Sequence, residues 1–201
     1  MTGREVSPGP RVIVTKVRPP RRRSDVTSRE RLHDIVGGNL ERKLLLVSAP
    51  AGYGKTTLLV DYAAASGLPV CWYRLEALDA DPAVFMEHLV QALRQPFPDV
   101  CASTLQLVRE QARSGQLDVV DAIGSLVNEI AEQVPDFFLL VLDDYQNVDV
   151  ADEVNRALDA LLEYLPDACQ VVVCGRSVPR KLTLTRLAAV GQVAGIGAAE
   201  L

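Results

Sequence analysis

Five short apolar segments recur along the chain, at residues 43–48, 70–75, 137–142, 170–174 and 192–196. They show little of the alternation between apolar and polar residues that marks a half-exposed strand. Continuous apolar runs of this length indicate strands that are covered on both faces. Helical patterns separate them, and strands joined through helices pair in parallel by right-handed crossovers. We therefore predict an α/β fold of three layers, in which a five-stranded parallel sheet is flanked by helices.

The helical segments differ in how clearly the sequence marks them. Asp81 followed by Pro82 is a typical helix start, because Asp caps the free amides and Pro suits the first helical position. Asp118 begins an amphipathic pattern with apolar residues on one face. Residues 95–117 have the weakest pattern, and we predict a helix there only over 105–113.

The charge balance limits the partners of the domain. The chain has 201 residues and a net charge of −5, which argues against DNA binding by the whole domain. The run Arg18-Pro-Pro-Arg-Arg-Arg23 is basic; a solvated N-terminal arm is the favoured interpretation, with a nucleic-acid contact as the alternative.

The longest apolar stretch, 137–142, is too short to cross a membrane, and no leader pattern is evident. We expect a cytoplasmic protein without membrane contact.

The first apolar segment runs directly into a glycine-rich loop and then a helix, the order that a phosphate-binding loop requires. Glycine at positions 52 and 54 allows positive φ, so that successive backbone amides converge on phosphate oxygens beside the helix N-terminus. The sequence fits the Walker A pattern, except that an alanine stands where the first glycine is usual. The predicted nucleotide-binding residues of this loop are Ala49, Pro50, Ala51, Gly52, Tyr53, Gly54, Lys55, Thr56 and Thr57.

Within that loop, two side chains have defined chemistry. Lys55 is predicted to reach the β- and γ-phosphates, and the Thr56 hydroxyl is predicted to bind Mg²⁺. The third apolar segment ends in Asp143 and Asp144. Two acids at the end of a buried strand are costly unless a positive charge lies near, and Mg²⁺ supplies one. We therefore predict that Asp143 is a metal ligand, as the Walker B acid.

Asp144 and Arg176 are candidate catalytic residues. Asp144 is placed to orient or deprotonate a water molecule that attacks the γ-phosphate, or else it serves as a cap or turn residue of the next loop. Arg176 follows the fourth apolar segment. It either contacts the γ-phosphate and stabilises charge in the transition state, or pairs with a surface carboxylate. The residues alone leave both choices open.

Together these motifs resemble the nucleotide-binding domain of the STAND class of signalling NTPases, and in particular the MalT-like group of ATP-dependent LuxR-type regulators. The resemblance extends from Lys16 to Leu201, and its two most specific strings are 50–57 and 143–145. It also includes the segments Lys16-Val-Arg-Pro-Pro20, Val26-Thr-Ser-Arg-Glu-Arg-Leu32, Trp72-Tyr-Arg-Leu75 and Cys174-Gly-Arg-Ser177.

The resemblance implies several placements. It implies a P-loop NTPase fold of the ASCE type in which the fourth strand lies between the first and the third. Arg176 would then lie beside the γ-phosphate. The segment before the Walker A loop helps to hold adenine in similar proteins, which implies an adenine contact for Val26 and Arg29. Gln146 stands where similar proteins often have histidine, so the resemblance supports no proton transfer at that position.

Residues 1–25 contain many Pro, Gly and Arg residues, which predicts an extended lead-in. We predict that residues 26–201 form the nucleotide-binding domain. Members of the family continue into a winged-helix lid, a helical-repeat sensor and a DNA-binding domain. We therefore expect this chain to be a fragment of a larger regulator. Such a regulator would self-associate in its ATP state and would contact DNA only through a domain absent from this chain.

Three functions are compatible with these residues. The leading one is a regulatory switch that binds ATP or ADP with Mg²⁺ and hydrolyses ATP slowly. The second is a module that binds the nucleotide without turnover when isolated. The third is a metabolic phosphotransferase, which would need an arginine-rich lid over an acceptor pocket. The sequence between Ala83 and Val134 shows no such lid.

Overall fold

The computed structural model describes residues 12–22 and 30–201, and within these ranges five strands form one parallel sheet. The order across the sheet is β2-β3-β4-β1-β5. Every strand lies within one residue of its predicted bounds at either end. The strands are β1 (Leu44–Ser48), β2 (Val70–Arg74), β3 (Phe138–Asp143), β4 (Cys169–Gly175) and β5 (Val193–Ile196). The predicted three-layer α/β fold is confirmed.

Helices cover both faces of this sheet. In the described ranges they are α1 (Glu30–Gly37), α2 (Lys55–Ser66), α3 (Pro82–Leu93), α4 (Ala102–Ser114), α5 (Val119–Gln133), α6 (Asp152–Tyr164) and α7 (Thr185–Ala189). The Asp81 carboxylate accepts hydrogen bonds from the amides of Ala83 and Val84, and Asp118 caps α5 in the same way. None of the helices in the described residues is long and apolar enough to cross a membrane.

The strands alternate their side chains between two apolar cores. Leu44 and Leu46 of β1 pack in the core under α3, α4, α5 and α6. Leu45 and Val47 face the opposite way, into a smaller core with α1 and α2. This two-sided burial explains why the strands read as continuous apolar runs. The four cysteines, Cys71, Cys101, Cys169 and Cys174, are buried and free.

The position of β4 decides which loops meet. It pairs with β1 on one side, where Ser48 lies opposite Gly175, and with β3 on the other, where Leu142 lies opposite Val173. This is the placement that the resemblance implied. Because all three strands are parallel, the loops that follow β1, β3 and β4 emerge side by side at one edge of the sheet.

Helix α4 begins with a cap that comes from another helix. It follows Cys101, whose φ of 60° is in the left-handed region and whose side chain makes no capping hydrogen bond. The Glu129 carboxylate of α5 instead accepts hydrogen bonds from the amides of Ser103 (3.2 Å) and Thr104 (2.7 Å) and from the Thr104 hydroxyl (2.6 Å). Burial by itself raises the pKa of Glu129, but the hydrogen bonds from Thr104 and Ser103 outweigh it, and the net pKa is lowered.

We predict that Glu129→Ala lowers the free energy of unfolding by about 2 kcal/mol at neutral pH, because the free amides of α4 lose their acceptor. The folded-state pKa of Glu129 is depressed, so its contribution is present above the unfolded-state pKa and is lost as pH falls through the folded-state value. Urea unfolding of wild type and variant, repeated between neutral and acidic pH, measures this difference. Glu132→Ala removes an exposed carboxylate of the same helix and is the control. Equal losses in the two variants would contradict the cap.

Candidate nucleotide-binding site

The loop between β1 and α2 has the backbone that a phosphate cradle requires. Gly52 has a φ of 88° and Gly54 a φ of 83°. A Cβ built on Gly52 would meet no atom within 4 Å, so the backbone conformation, and not lack of space, demands glycine there. Ala49 is buried, and its amide donates to the carbonyl oxygen of Gly175 (3.3 Å). The loop is thus tied to β4 at its start, while Pro50, Ala51, Gly52 and Tyr53 lie exposed at its tip.

Lys55 begins α2 and folds back over the loop. Its Nζ donates to the carbonyl oxygens of Ala49 (2.7 Å) and Pro50 (3.0 Å). The ammonium group therefore lies inside the curve of the loop, at the N-terminus of α2, where the helix dipole also favours negative charge. Thr57, in the same turn, is exposed.

Thr56 and Asp143 meet at the edge of the sheet. The Thr56 hydroxyl lies 3.0 Å from Oδ2 and 3.3 Å from Oδ1 of Asp143. Asp143 is only 2% exposed, and burial raises the pKa of its carboxyl group. The neighbouring Asp144 charge adds to this rise, while hydrogen bonds from the Cys174 thiol, Thr56 and the Asp144 amide oppose it. The hydroxyl oxygen of Thr56 and the carboxylate oxygens of Asp143 are hard ligands of the kind that Mg²⁺ prefers. The ion would also offset the cost of burying the carboxylate.

Asp144 lies beside this pair in a strained conformation. Its φ is 60°, in the left-handed region, and its side chain makes no capping hydrogen bond to the 3₁₀ turn Tyr145–Asn147 that follows. Its Oδ1 instead accepts from Nε2 of Gln146 at 2.9 Å. A non-glycine residue in this region costs about 1–3 kcal/mol, although aspartate tolerates it better than most, and such residues cluster at active sites and switch regions. The side chain is half-buried at the same edge as Thr56.

Arg176 follows β4 and is exposed. Its amide donates to Oε1 of Gln146 at 3.2 Å. Its guanidinium forms no ion pair with any carboxylate of residues 12–22 or 30–201. The pairing with a surface carboxylate, which the sequence left open, is therefore not seen in these ranges. Val26 and Arg29, the predicted adenine contacts, lie outside the described residues.

Comparisons with known proteins show which sequences and folds the chain is similar to. No family model matches the chain. The HTH-type transcriptional regulator MalT of Cronobacter sakazakii is 31% identical over 190 residues, which are 94% of this chain and 20% of that protein. MalT of Vibrio parahaemolyticus is 30% identical over 171 residues, or 83% of this chain and 18% of the relative. The chain therefore spans about a fifth of the length of these curated relatives.

Two solved structures share the fold. The Walker-type ATPase of Pyrococcus abyssi superposes with a TM-score of 0.53 at 17% identity, covering 82% of this chain and 49% of that one. A STAND protein with a tetratricopeptide repeat sensor, from Pyrococcus horikoshii, gives 0.51 at 17% identity and covers 90% and 24%. The chain is MalT-like in sequence and has the fold of the P-loop ATPases. At 17% identity, the similarity to these two structures concerns the fold alone.

The structure of this MalT-like domain adds two residues that the sequence did not assign to the site. Cys174, which the sequence marked only within the string Cys174-Gly-Arg-Ser177, has a thiol that lowers the pKa of the Asp143 carboxyl group. Gln146 bridges the Asp144 side chain and the Arg176 amide. The sequence marked Gln146 only as a departure from histidine. Its position next to Asp-Asp-Tyr was the available signal, but the strand order was needed to bring Arg176 within its reach.

We predict that Asp143→Asn makes the MalT-like domain more stable in buffer without divalent metal. The folded-state pKa of Asp143 is raised, so the wild type loses stability as pH rises through that pKa, and the asparagine variant does not. A higher free energy of unfolding for the variant than for wild type is expected in urea unfolding at neutral pH. Asp167→Asn, at an exposed position before β4, is the control. A loss of stability in Asp143→Asn at neutral pH would contradict this assignment of the buried charge.

Proposed function

We propose that this domain binds ATP or ADP together with Mg²⁺ and hydrolyses ATP slowly, as the nucleotide switch of a MalT-type transcription regulator. The observation that carries the proposal is the contact between Thr56 and Asp143, at 3.0 Å. It places the first turn of the P-loop helix against a buried carboxylate from a different strand. A P-loop NTPase needs this pairing of hydroxyl and acid to hold the metal beside the phosphates.

The phosphate groups would occupy the curve of the loop. Backbone amides around Gly52 and Gly54 and the N-terminus of α2 provide partial positive charge there. Lys55 already points into the curve, where it is bound by the carbonyl oxygens of Ala49 and Pro50. A phosphate oxygen is a stronger acceptor for an ammonium group than a neutral carbonyl. We therefore expect Lys55 to exchange these carbonyl contacts for the β- and γ-phosphates.

Thr56 and Asp143 would hold Mg²⁺. Both offer oxygen ligands, and the ion would neutralise charge on the phosphates and on the buried carboxylate. Asp144 is proposed to orient or deprotonate the attacking water, with Arg176 stabilising charge on the γ-phosphoryl group. The support is positional: both residues follow strands that flank this edge, and Gln146 connects them.

The regulatory part of the proposal rests on the relatives. Their name is that of an HTH-type transcriptional regulator, and the chain corresponds to about a fifth of their length. We propose that nucleotide state controls self-association of such a regulator, and that promoter contact uses parts other than this domain. The net charge of −5 supports the second point, because a DNA-binding surface is usually basic.

A second candidate is nucleotide binding without turnover by the domain alone. Asp144 is bonded to Gln146, and Arg176 is exposed at the rim. Both side chains would need to reorient toward the γ-phosphate before catalysis. A domain that binds the nucleotide but lacks a partner surface to bring about this reorientation would hold ATP unchanged. Measurements of binding and of turnover separate the two candidates.

We predict that Lys55→Ala weakens binding of Mg-ATP by at least about 100-fold, because it removes a charge-assisted contact in the phosphate cradle. Isothermal titration calorimetry measures the dissociation constant. Lys181→Ala is the matched control, since Lys181 forms an exposed ion pair with Asp152. Equal affinity of Lys55→Ala and wild type would rule out the cradle.

We predict that Asp144→Asn keeps the affinity for Mg-ATP within about threefold of wild type but slows hydrolysis by about 100-fold or more. The amide keeps the size of the side chain and loses the base. A single-turnover assay with labelled ATP measures the rate. Hydrolysis at the wild-type rate would remove Asp144 from catalysis, and absence of hydrolysis in the wild type would favour the binding module.

A further inference from the structure

The described part of the predicted lead-in packs closely against the domain. Residues 14–16 form a 3₁₀ turn, after which Pro20, Arg21 and Arg22 run past the first turns of α2. We call residues 12–22 the arm. Lys16 and Val17 are buried, whereas Arg21 and Arg22 are exposed. The arm is therefore anchored at its centre and open toward its end.

A buried ion pair anchors the arm. Lys16 Nζ lies 2.6 Å and 2.5 Å from the two carboxylate oxygens of Asp79, and the two side chains are 1% and 0% exposed. Lys16 also lies over the ring of Tyr73, 5.8 Å from its centroid. The amide of Glu76 donates to Asp79 at 2.7 Å, so the carboxylate is itself held in place. Burial of two charges this deep is costly, and it is tolerated only where the geometry is fully satisfied.

Contacts on either side of Lys16 fix the register of the arm. The amide of Ile13 donates to Nε2 of His88 at 3.1 Å, and Nδ1 of His88 lies 2.9 Å from the carbonyl oxygen of Val84. A neutral His88 with its proton on Nδ1 satisfies both contacts. Arg18 Nε donates to Gln95 at 2.8 Å. The arm is thus bonded to α3 before the ion pair and to Gln95, two residues past the end of α3, after it, and it cannot slide along the domain without breaking these bonds.

Past Arg18, the arm forms one wall of a groove. The groove is lined by Pro20, Arg21, Arg22, Thr56, Thr57, Val60 and Asp61. Arg22 reaches across it to Asp61 at 2.5 Å. Because Thr56 and Thr57 belong to the first turn of α2, the groove continues directly from the phosphate cradle along that helix. The Asp61 carboxylate is buried and also lies 3.0 Å from Nε2 of His33, so the groups that the groove offers to a base and sugar are guanidinium planes and apolar atoms.

We propose that Lys16 and Asp79 are positioning residues for nucleotide binding: they fix the arm so that Pro20, Arg21 and Arg22 form the outer wall of the nucleoside part of the site. The inference rests on the proposed function, because it takes the cradle to hold the phosphates. Neither Lys16 nor Asp79 touches the groove. Their effect is to hold the wall in place before the ligand arrives, which spares the ligand the entropic cost of ordering the arm.

The test compares two ligands that share the phosphate chemistry. Inorganic tripolyphosphate fills only the cradle, whereas ATP also fills the groove. For Lys16→Met we expect Mg-ATP affinity to fall by about tenfold or more, with tripolyphosphate affinity unchanged. Lys16→Arg, which keeps the charge, is expected to restore much of the ATP affinity. Both affinities are measured by calorimetry at a temperature where circular dichroism shows each variant folded.

A double variant guards against misfolding caused by an unpaired buried charge. Lys16→Met with Asp79→Leu leaves no charge buried at this position and is expected to show the same selective loss of ATP affinity. The matched control is Arg109→Met. It breaks the ion pair (2.6 Å) between Arg109 on α4 and the buried Glu87 on α3, away from the groove. It is expected to alter neither affinity.

Limited trypsin digestion reports the arm directly. Cleavage after Arg21 or Arg22 is expected to be faster in Lys16→Met than in wild type, and Mg-ATP is expected to slow it in wild type. Equal ATP affinity of folded Lys16→Met and wild type would overturn the inference. So would an equal loss of affinity for ATP and tripolyphosphate. Equal affinity of wild type for tripolyphosphate and ATP would support the phosphate cradle and contradict the nucleoside wall. Binding of neither ligand by wild type would contradict the proposed function itself.

Discussion

The contact between the Thr56 hydroxyl and the Asp143 carboxylate is the interaction on which the organisation of the site depends. It joins the first turn of α2 to the end of β3, although β4 lies between β1 and β3 in the sheet. The loop after β1 must therefore reach over the end of β4. The bond between the Ala49 amide and the Gly175 carbonyl ties it there. Without that path, the glycine-rich loop and the acid at the end of β3 would form separate features.

Buried charge is the second theme of the structure. Asp143, Asp79 and Glu129 are all buried, and each is held by a different device. The charge of Asp79 is neutralised by Lys16. The Glu129 carboxylate accepts hydrogen bonds from backbone amides of α4 and from the Thr104 hydroxyl. Asp143 is held by hydroxyl, thiol and amide donors, and burial still raises its pKa. The first two carboxylates are matched by charged or polar groups of the protein itself. The third is the one that a divalent cation would complete, which is why the chemistry is assigned to it.

Sequence patterns predicted some parts of this fold much better than others. The strands were placed within one residue because each is an uninterrupted apolar run, and the helices after Asp81 and Asp118 begin where a capping side chain precedes them. The helix at Ala102–Ser114 was predicted to begin at residue 105, three residues too late. Its cap is Glu129, a residue 25 positions further along the chain from Thr104. A local pattern cannot show a cap that arrives through tertiary contact.

By itself, the sequence determined the parallel α/β layering, the glycine-dependent loop, and the acids that end the third strand. These features are local: they follow from apolar periodicity, from the φ that only glycine tolerates well, and from residue order. Only the tertiary structure decided which of these residues touch. Strand order brought Thr56 to Asp143 and let Gln146 reach both Asp144 and Arg176. Folding of the arm buried Lys16 against Asp79, 63 positions away, because contacts between distant segments depend on packing and not on sequence spacing.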